Sequence, residues 1–175
     1  MPCVITGNYI RPVNFFQMDN LELKKSFLTS MRGITSTVCV ISAKMNDAKH
    51  AMTATSAVSI SIDPPTMLVS VSKEASIHSL MNKNSFFCIN VLSQSQQDLA
   101  EVCSNSEEGE SRFSNNSWKI KESFIYNEQS MSNLFCECIE TLDQSTHTIF
   151  IGTVLDVNNN PNQKPLLYGS GKYQN

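Results

Sequence analysis

Apolar and polar positions along the chain follow two periods. Leu23, Phe27, Leu28 and Met31 recur at helical spacing, which predicts a helix over residues 20–32. Asp19 offers an N-cap, Glu22 completes a box-like pair, and Gly33 is a natural stop. Beyond it the period drops to that of strands. Residues 37–42 (TVCVIS), 66–72 (TMLVSVS) and 86–92 (FFCINVL) read as strands, with a polar turn over residues 45–49. Residues 51–62 read as one long strand, ended by Asp63-Pro64-Pro65 because Pro cannot donate to a ladder. A short helix is expected over residues 76–81. Ser93 and Gln96 form a capping box that opens a second helix with Leu99, Val102 and Cys103 inward. Residues 104–117, rich in Ser, Asn and Glu, read as a surface loop. Two further strands follow at residues 134–142 and 147–157. After the breaker Asn158-Asn159-Asn160-Pro161, a last short strand is expected at residues 165–168. Many strands, few helices and no regular β-α alternation predict a mainly β fold closed into an antiparallel barrel.

Composition narrows the class. The 175 residues suit one core, and 41% hydrophobic with 17% charged residues argues against disorder. A net charge of -3 carries no basic footprint for nucleic acid or an anionic membrane. The N-terminus lacks the pattern of a signal peptide, and no stretch approaches the roughly 18 apolar residues of a membrane span. The cytoplasm is therefore the expected location. The six cysteines lack metal-ligand spacing, so no metal site is expected and most read as buried apolar side chains. Cys136 and Cys138, two apart, should share one strand face.

The most informative stretch is MTATSAVSISIDPP, residues 52–65. Parity places Val58, Ile60 and Ile62 with Ala54 and Ser56, and Thr53, Thr55, Ala57, Ser59 and Ser61 opposite. One face is expected to be core. The other is a row of small hydroxyls against which a flat, polar-edged ligand could lie, or else a solvated strand face. Lys73 ends an apolar strand and is the only cation between Lys49 and Lys83, a position suited to a phosphate.

MTATSAVSISIDPPTMLVSVS resembles the flavin-contacting strand pair of split-barrel flavin reductases. GITSTVCVISA, FFCINVLSQSQQDLA, the Arg112-Phe113 pair, HTIFIGTV and PLLYGSGKY fit that family in the same order. The resemblance spans the chain from about residue 14, leaving residues 1–13 as an N-terminal extension and 14–175 as a single domain. It implies an antiparallel split β-barrel of the FMN-binding type, holding FMN or FAD without a covalent link. By that resemblance Met52, Thr53, Ala54, Thr55 and Ser56 contact the isoalloxazine and ribityl portion, with Val58 and Ser59 following. Ser72, Lys73, Glu74, Ala75 and Ser79 fall near the phosphate. His147 falls beside the face where NADH or NADPH docks, as a positioning group, since hydride transfer belongs to the cofactor.

The resemblance thus implies an NAD(P)H:flavin oxidoreductase, a homodimer, whose reduced flavin goes to a partner monooxygenase or other acceptor. The alternative is a non-enzymatic FMN electron carrier exchanging electrons with redox proteins. A split barrel holding haem or a pyridoxal phosphate relative is a third reading. GSGKYQ lacks the third Gly and the following helix of a dinucleotide fingerprint, so a nicotinamide would lie over the flavin in an open groove.

Overall fold

The structure is a computed structural model and describes residues 19–174. Helix α1 (Asn20–Arg32) belongs to one compact unit, and the residues from Thr35 onward form another. Asp19 caps α1, its Oδ1 accepting from the Leu21 and Glu22 amides at 2.8 Å. The apolar stripe expected on this helix is present, yet Leu23, Phe27, Leu28 and Met31 are all exposed. The residue 13/14 boundary lies outside the described residues.

The second unit is built from antiparallel strands: β1 (Ser36–Thr37), β2 (Cys39–Met45), β3 (Ala48–Ala54), β4 (Val58–Ile62), β5 (Pro65–Ser72) and β6 (Phe86–Val91). Helix α2 (Gln97–Ser104) follows. Then come β7 (Trp118–Lys121), β8 (Phe124–Asn127), β9 (Ser132–Gln144), β10 (His147–Asn159), β11 (Leu167–Gly169) and β12 (Lys172–Gln174). Seven strands form one sheet in the order β3-β2-β6-β9-β10-β5-β4.

That order dictates curvature. The edge strands β3 and β4 are consecutive in the chain, and residues 55–57 alone join them. Four Cα steps span at most about 15 Å. A flat sheet of seven strands would set its edges about 29 Å apart. The sheet therefore curls until its edges nearly meet, leaving a split between β3 and β4 that no ladder closes. Ser56 fastens the linker, its Oγ donating to Ser70 O at 3.0 Å.

Two expectations for this region are corrected. Residues 51–62 are two strands rather than one, and residues 55–57 reset the alternation between them. Val58, Ile60 and Ile62 are consequently not core: they are 52%, 49% and 92% exposed on an edge strand. The barrel interior is filled from other strands, by Ile41, Val69, Val71, Phe87, Ile89 and Phe150. Gly152 is required where β10 passes Phe87, because a Cβ there would lie 2.7 Å from the ring.

The capping box at Ser93 and Gln96 is formed, and α2 buries Leu99 and Cys103 while Val102 is half-buried. Residues 104–117 are more ordered than a loop. They contain 3-10 turns over Ser106–Phe113, kinked at Gly109, and bury Arg112. The hairpin β7–β8, where apolar and charged residues mix, was not expected. GSGK is the turn of the β11–β12 hairpin, with Ser170 and Gly171 both at positive φ. Cys39, Cys88, Cys103, Cys136 and Cys138 are buried free thiols, as expected.

Candidate functional site

The end of β3, the outer flank of α2 and the β11–β12 hairpin border an open cavity of about 570 Å³. Thr53, Ala54 and Thr55 form one wall, Gln97, Glu101 and Ser104 another, and Tyr168, Lys172 and Tyr173 the third. The two tyrosines meet edge to face at 5.3 Å, because Tyr168 and Tyr173 are paired across the hairpin. A smaller cavity of about 170 Å³ is lined by Met52, Thr53, Ala75, Ser76, Ser104 and Arg112, among others. Thr53 and Ser104 line both, so the two are neighbours.

Packing explains this convergence. Thr53 Oγ1 donates to Ala100 O at 2.6 Å, which holds β3 against α2. Its proton is spent there, and its lone pairs remain. The 3-10 turn Ser76–Leu80 buries Ile77 and Leu80, which brings Ala75 and Ser76 beside β3. Trp118 Nε1 donates to Arg112 O at 2.8 Å and the indole packs against Phe113, fixing the 3-10 segment that carries Arg112.

A second cluster forms at the β5–β10 register. His147 stands opposite Ser72, and Lys73 N donates to Thr146 O at 2.9 Å. His147 is exposed, with its Nδ1 2.9 Å from Thr146 Oγ1. Lys73 Nζ lies 3.5 Å from Asp143 Oδ1, which also accepts from Thr148 Oγ1 at 2.8 Å. The Thr148 hydroxyl, and then Lys73, hold the Asp143 carboxyl below its ordinary range. His78 Nε2 lies 2.9 Å from Thr148 Oγ1. Since that hydroxyl donates to Asp143, the ring nitrogen is the donor toward it.

The residues singled out in the sequence therefore divide. Met52, Thr53, Ala54, Thr55 and Ala75 line the cavities. Ser72 and Lys73 meet the start of β10 at His147 and Thr146, and Glu74 follows, its N donating to Ser72 Oγ at 3.3 Å. Ser56 is bonded to Ser70. Val58 and Ser59 lie exposed on β4, opposite Leu68 and Met67, and Ser79 is exposed and donates to Ser76 O. None of these last three lines either cavity.

Sequence reasoning did not give Arg112, Lys172 or the tyrosine pair a part in the site. Arg112 hides in a segment whose composition signals a loop. The tyrosines carried a signal, an aromatic on each side of a Ser-Gly turn.

Residues 31–175 match the family described as flavin reductase like domain. The chain is 31% identical over 164 residues to the reductase component of an FADH(2)-dependent resorcinol hydroxylase from a Rhizobium species, covering 90% of this chain and 92% of that one. It is 27% identical over 149 residues to the FMN reductase (NADH) RutF of Agrobacterium fabrum, covering 85% and 86%. Among solved structures, it is similar to the flavin reductase component of a bacterial two-component tryptophan halogenase. That TM-score is 0.78 at 27% identity, over 86% of this chain and 96% of the other.

Proposed function

From the premise that this chain belongs to the flavin reductase like domain family, we propose that it is an NAD(P)H:flavin oxidoreductase that delivers reduced flavin to a separate acceptor. The observation that carries the reading is the cavity pair at the end of β3, which joins a roomy cleft to a small cationic pocket. A flavin has the same division, a flat ring system and an anionic tail. When bound, it supplies the hydride chemistry.

The protein's residues would bind and orient. Met52, Thr53, Ala54 and Thr55 line the cavity pair from the end of β3, and Ala75 lines the smaller pocket. His147 paired with Ser72 across β5 and β10 is the polar pair we assign to positioning the nicotinamide. NADH is the dinucleotide named for the FMN reductase relative. The same relatives support FMN as the flavin, with FAD as the alternative named for the resorcinol hydroxylase component. An openly accessible cleft also suits release of reduced flavin to a partner monooxygenase or halogenase, the partners of the relatives.

The reading includes a homodimer. Val58, Ile60 and Ile62 on the β4 edge form an apolar strip, with Leu155 and Val157 exposed on β10. Such surface is usually covered. A cytoplasmic setting fits the five unpaired thiols of the described residues. Among the described residues no helix is long and apolar enough to cross a membrane.

The test is consumption of NADH and of NADPH by the purified protein, with and without added FMN, FAD and riboflavin. Flavin-dependent turnover is expected. Flavin binding without nicotinamide oxidation would favour an electron carrier, and neither binding nor turnover would sink the reading.

A further inference from the structure

The β9–β10 hairpin closes at the pair Gln144 and His147, which leaves Ser145 and Thr146 as its turn. Ser145 sits at φ 51°, a left-handed conformation that a residue other than glycine keeps only when its surroundings hold it. The holding contacts come from the core. Thr148 follows His147 on β10 and points to the opposite face, where it is 4% exposed. Its Oγ1 donates across the hairpin to Asp143 Oδ1 at 2.8 Å and accepts from His78 Nε2 at 2.9 Å. His78 is half-buried and meets the buried Phe150 ring edge to face at 5.7 Å. Buried Ile77 and Leu80 anchor the 3-10 turn that carries it. From core to surface the contacts therefore run Phe150, His78, Thr148, Asp143 and then the turn. The turn holds the ring of His147, whose Nδ1 lies 2.9 Å from Thr146 Oγ1, while Thr146 O accepts from Lys73 N.

Stability is a small part of what these bonds do. Asp143 is 75% exposed and Lys73 39%, and an ion pair so exposed contributes little. The buried end differs. The single proton of Thr148 goes to the carboxylate and its lone pair takes the imidazole N–H, so one arrangement satisfies both neighbours. What that arrangement fixes is the place of Asp143, and with it the turn. His78 also lies two residues beyond Ser76, which lines the smaller pocket, so the same contacts tie that pocket to the turn. Resting on the placement of the nicotinamide at His147, we propose that His78, Thr148 and Asp143 are positioning residues for that ring. They set the turn, the turn sets the ring through Thr146, and apparent affinity for the nicotinamide follows without any of the three touching it.

The test is steady-state kinetics with varied NADH in wild type, H147A, T148V, T148S, H78F and D143A, with flavin titration and thermal melting alongside. Valine keeps the branched shape of Thr148 and removes its hydroxyl. T148V and D143A should raise KM for NADH by roughly three- to tenfold with kcat largely kept. H78F should act in the same direction and by less. T148S, which keeps the hydroxyl, should stay near wild type, and T148V should keep its flavin affinity. The double variant T148V/H147A should show a KM no higher than that of H147A, because a group acting through His147 has nothing to act on once the ring is gone. A merely structural hydroxyl would give additive effects, and additivity would overturn the proposal. So would an unchanged KM in T148V and D143A, or flavin affinity in T148V falling as far as NADH affinity. If T148V does not fold, D143A/H147A closes the same cycle from an exposed site. These results leave the flavin reading standing wherever wild type turns over. Wild type that oxidises no NADH would overturn that reading and this proposal together, whereas unchanged kinetics in H147A would overturn the placement at His147 and the proposal alone.

Discussion

His147 opens β10 opposite Ser72, an exposed ring anchored at one nitrogen by Thr146. An anchored ring can position a neighbour through its other nitrogen without taking part in hydride transfer. H147A should therefore weaken apparent affinity for the nicotinamide about tenfold, near 1.4 kcal/mol, with kcat largely kept. Steady-state kinetics with varied NADH checks it, and unchanged kinetics would remove His147 from the site. Residues of this kind are legible in a sequence because they end a strand and are polar. Others are not. Asn90 sits unnoticed in FFCINVL, yet it is fully buried. Its Nδ2 donates to Val40 O and Ser42 Oγ, while its Oδ1 accepts from Asn127 N and Asn133 Nδ2. Arg112 is illegible for the same reason. Its partners Ala51 and Asn105 come together only when β3, α2 and the 3-10 segment pack.

At the scale of elements, periodicity located most of the strands and both helices, since hydrophobic alternation needs only neighbours along the chain. It failed where the chain changes phase without an apolar gap. Residues 55–57 are small and extend the pattern of their flanks, so β3 and β4 read as one strand and the parity of β4 came out as core. The β7–β8 hairpin was missed because Lys and Ile interleave there, with β7 largely exposed. The corrected β4 has a consequence. An edge strand carrying Ile60 and Ile62 outward offers an unpaired ladder and apolar surface to a second copy. Truncating these side chains in a monomer should cost little. A charge there should oppose association, so I60E and I62E should shift a dimer toward monomer with the fold retained. Light scattering at micromolar concentration, with circular dichroism, checks it. A wild-type monomer would refute the dimer, and dimeric variants would move its interface off β4.

At the scale of the whole molecule, packing puts five thiols in places that water does not reach: Cys39, Cys136 and Cys138 inside the curled sheet, Cys88 beside Phe124 and Phe135, and Cys103 on the buried face of α2. Burial pushes Cys39, Cys103 and Cys136 up to about 12 from an ordinary 9.0, although the charge of Arg112 works against it at Cys103. Cys88 is driven well above 9.0, by burial first and then by Cys136. The unfolded chain ionises these thiols near pH 9, whereas the folded chain keeps them neutral until near 12. In that window the unfolded state binds fewer protons than the folded one, so stability falls as pH rises. It is fully present below pH 9 and lost progressively between 9 and 12. Each thiol adds a slope of up to about 1.4 kcal/mol per pH unit. The urea midpoint should accordingly drop between pH 8 and pH 10.5. The triple variant C39A/C103A/C136A, less stable at pH 8 through lost packing, should drop less steeply. All other groups are common to the two proteins, so the difference in slope isolates the thiols. Equal slopes in the two proteins would mean that the buried sulfurs ionise in the folded state as easily as in the unfolded one. In that case the surroundings of these thiols admit water or a counter-charge that the packing does not provide.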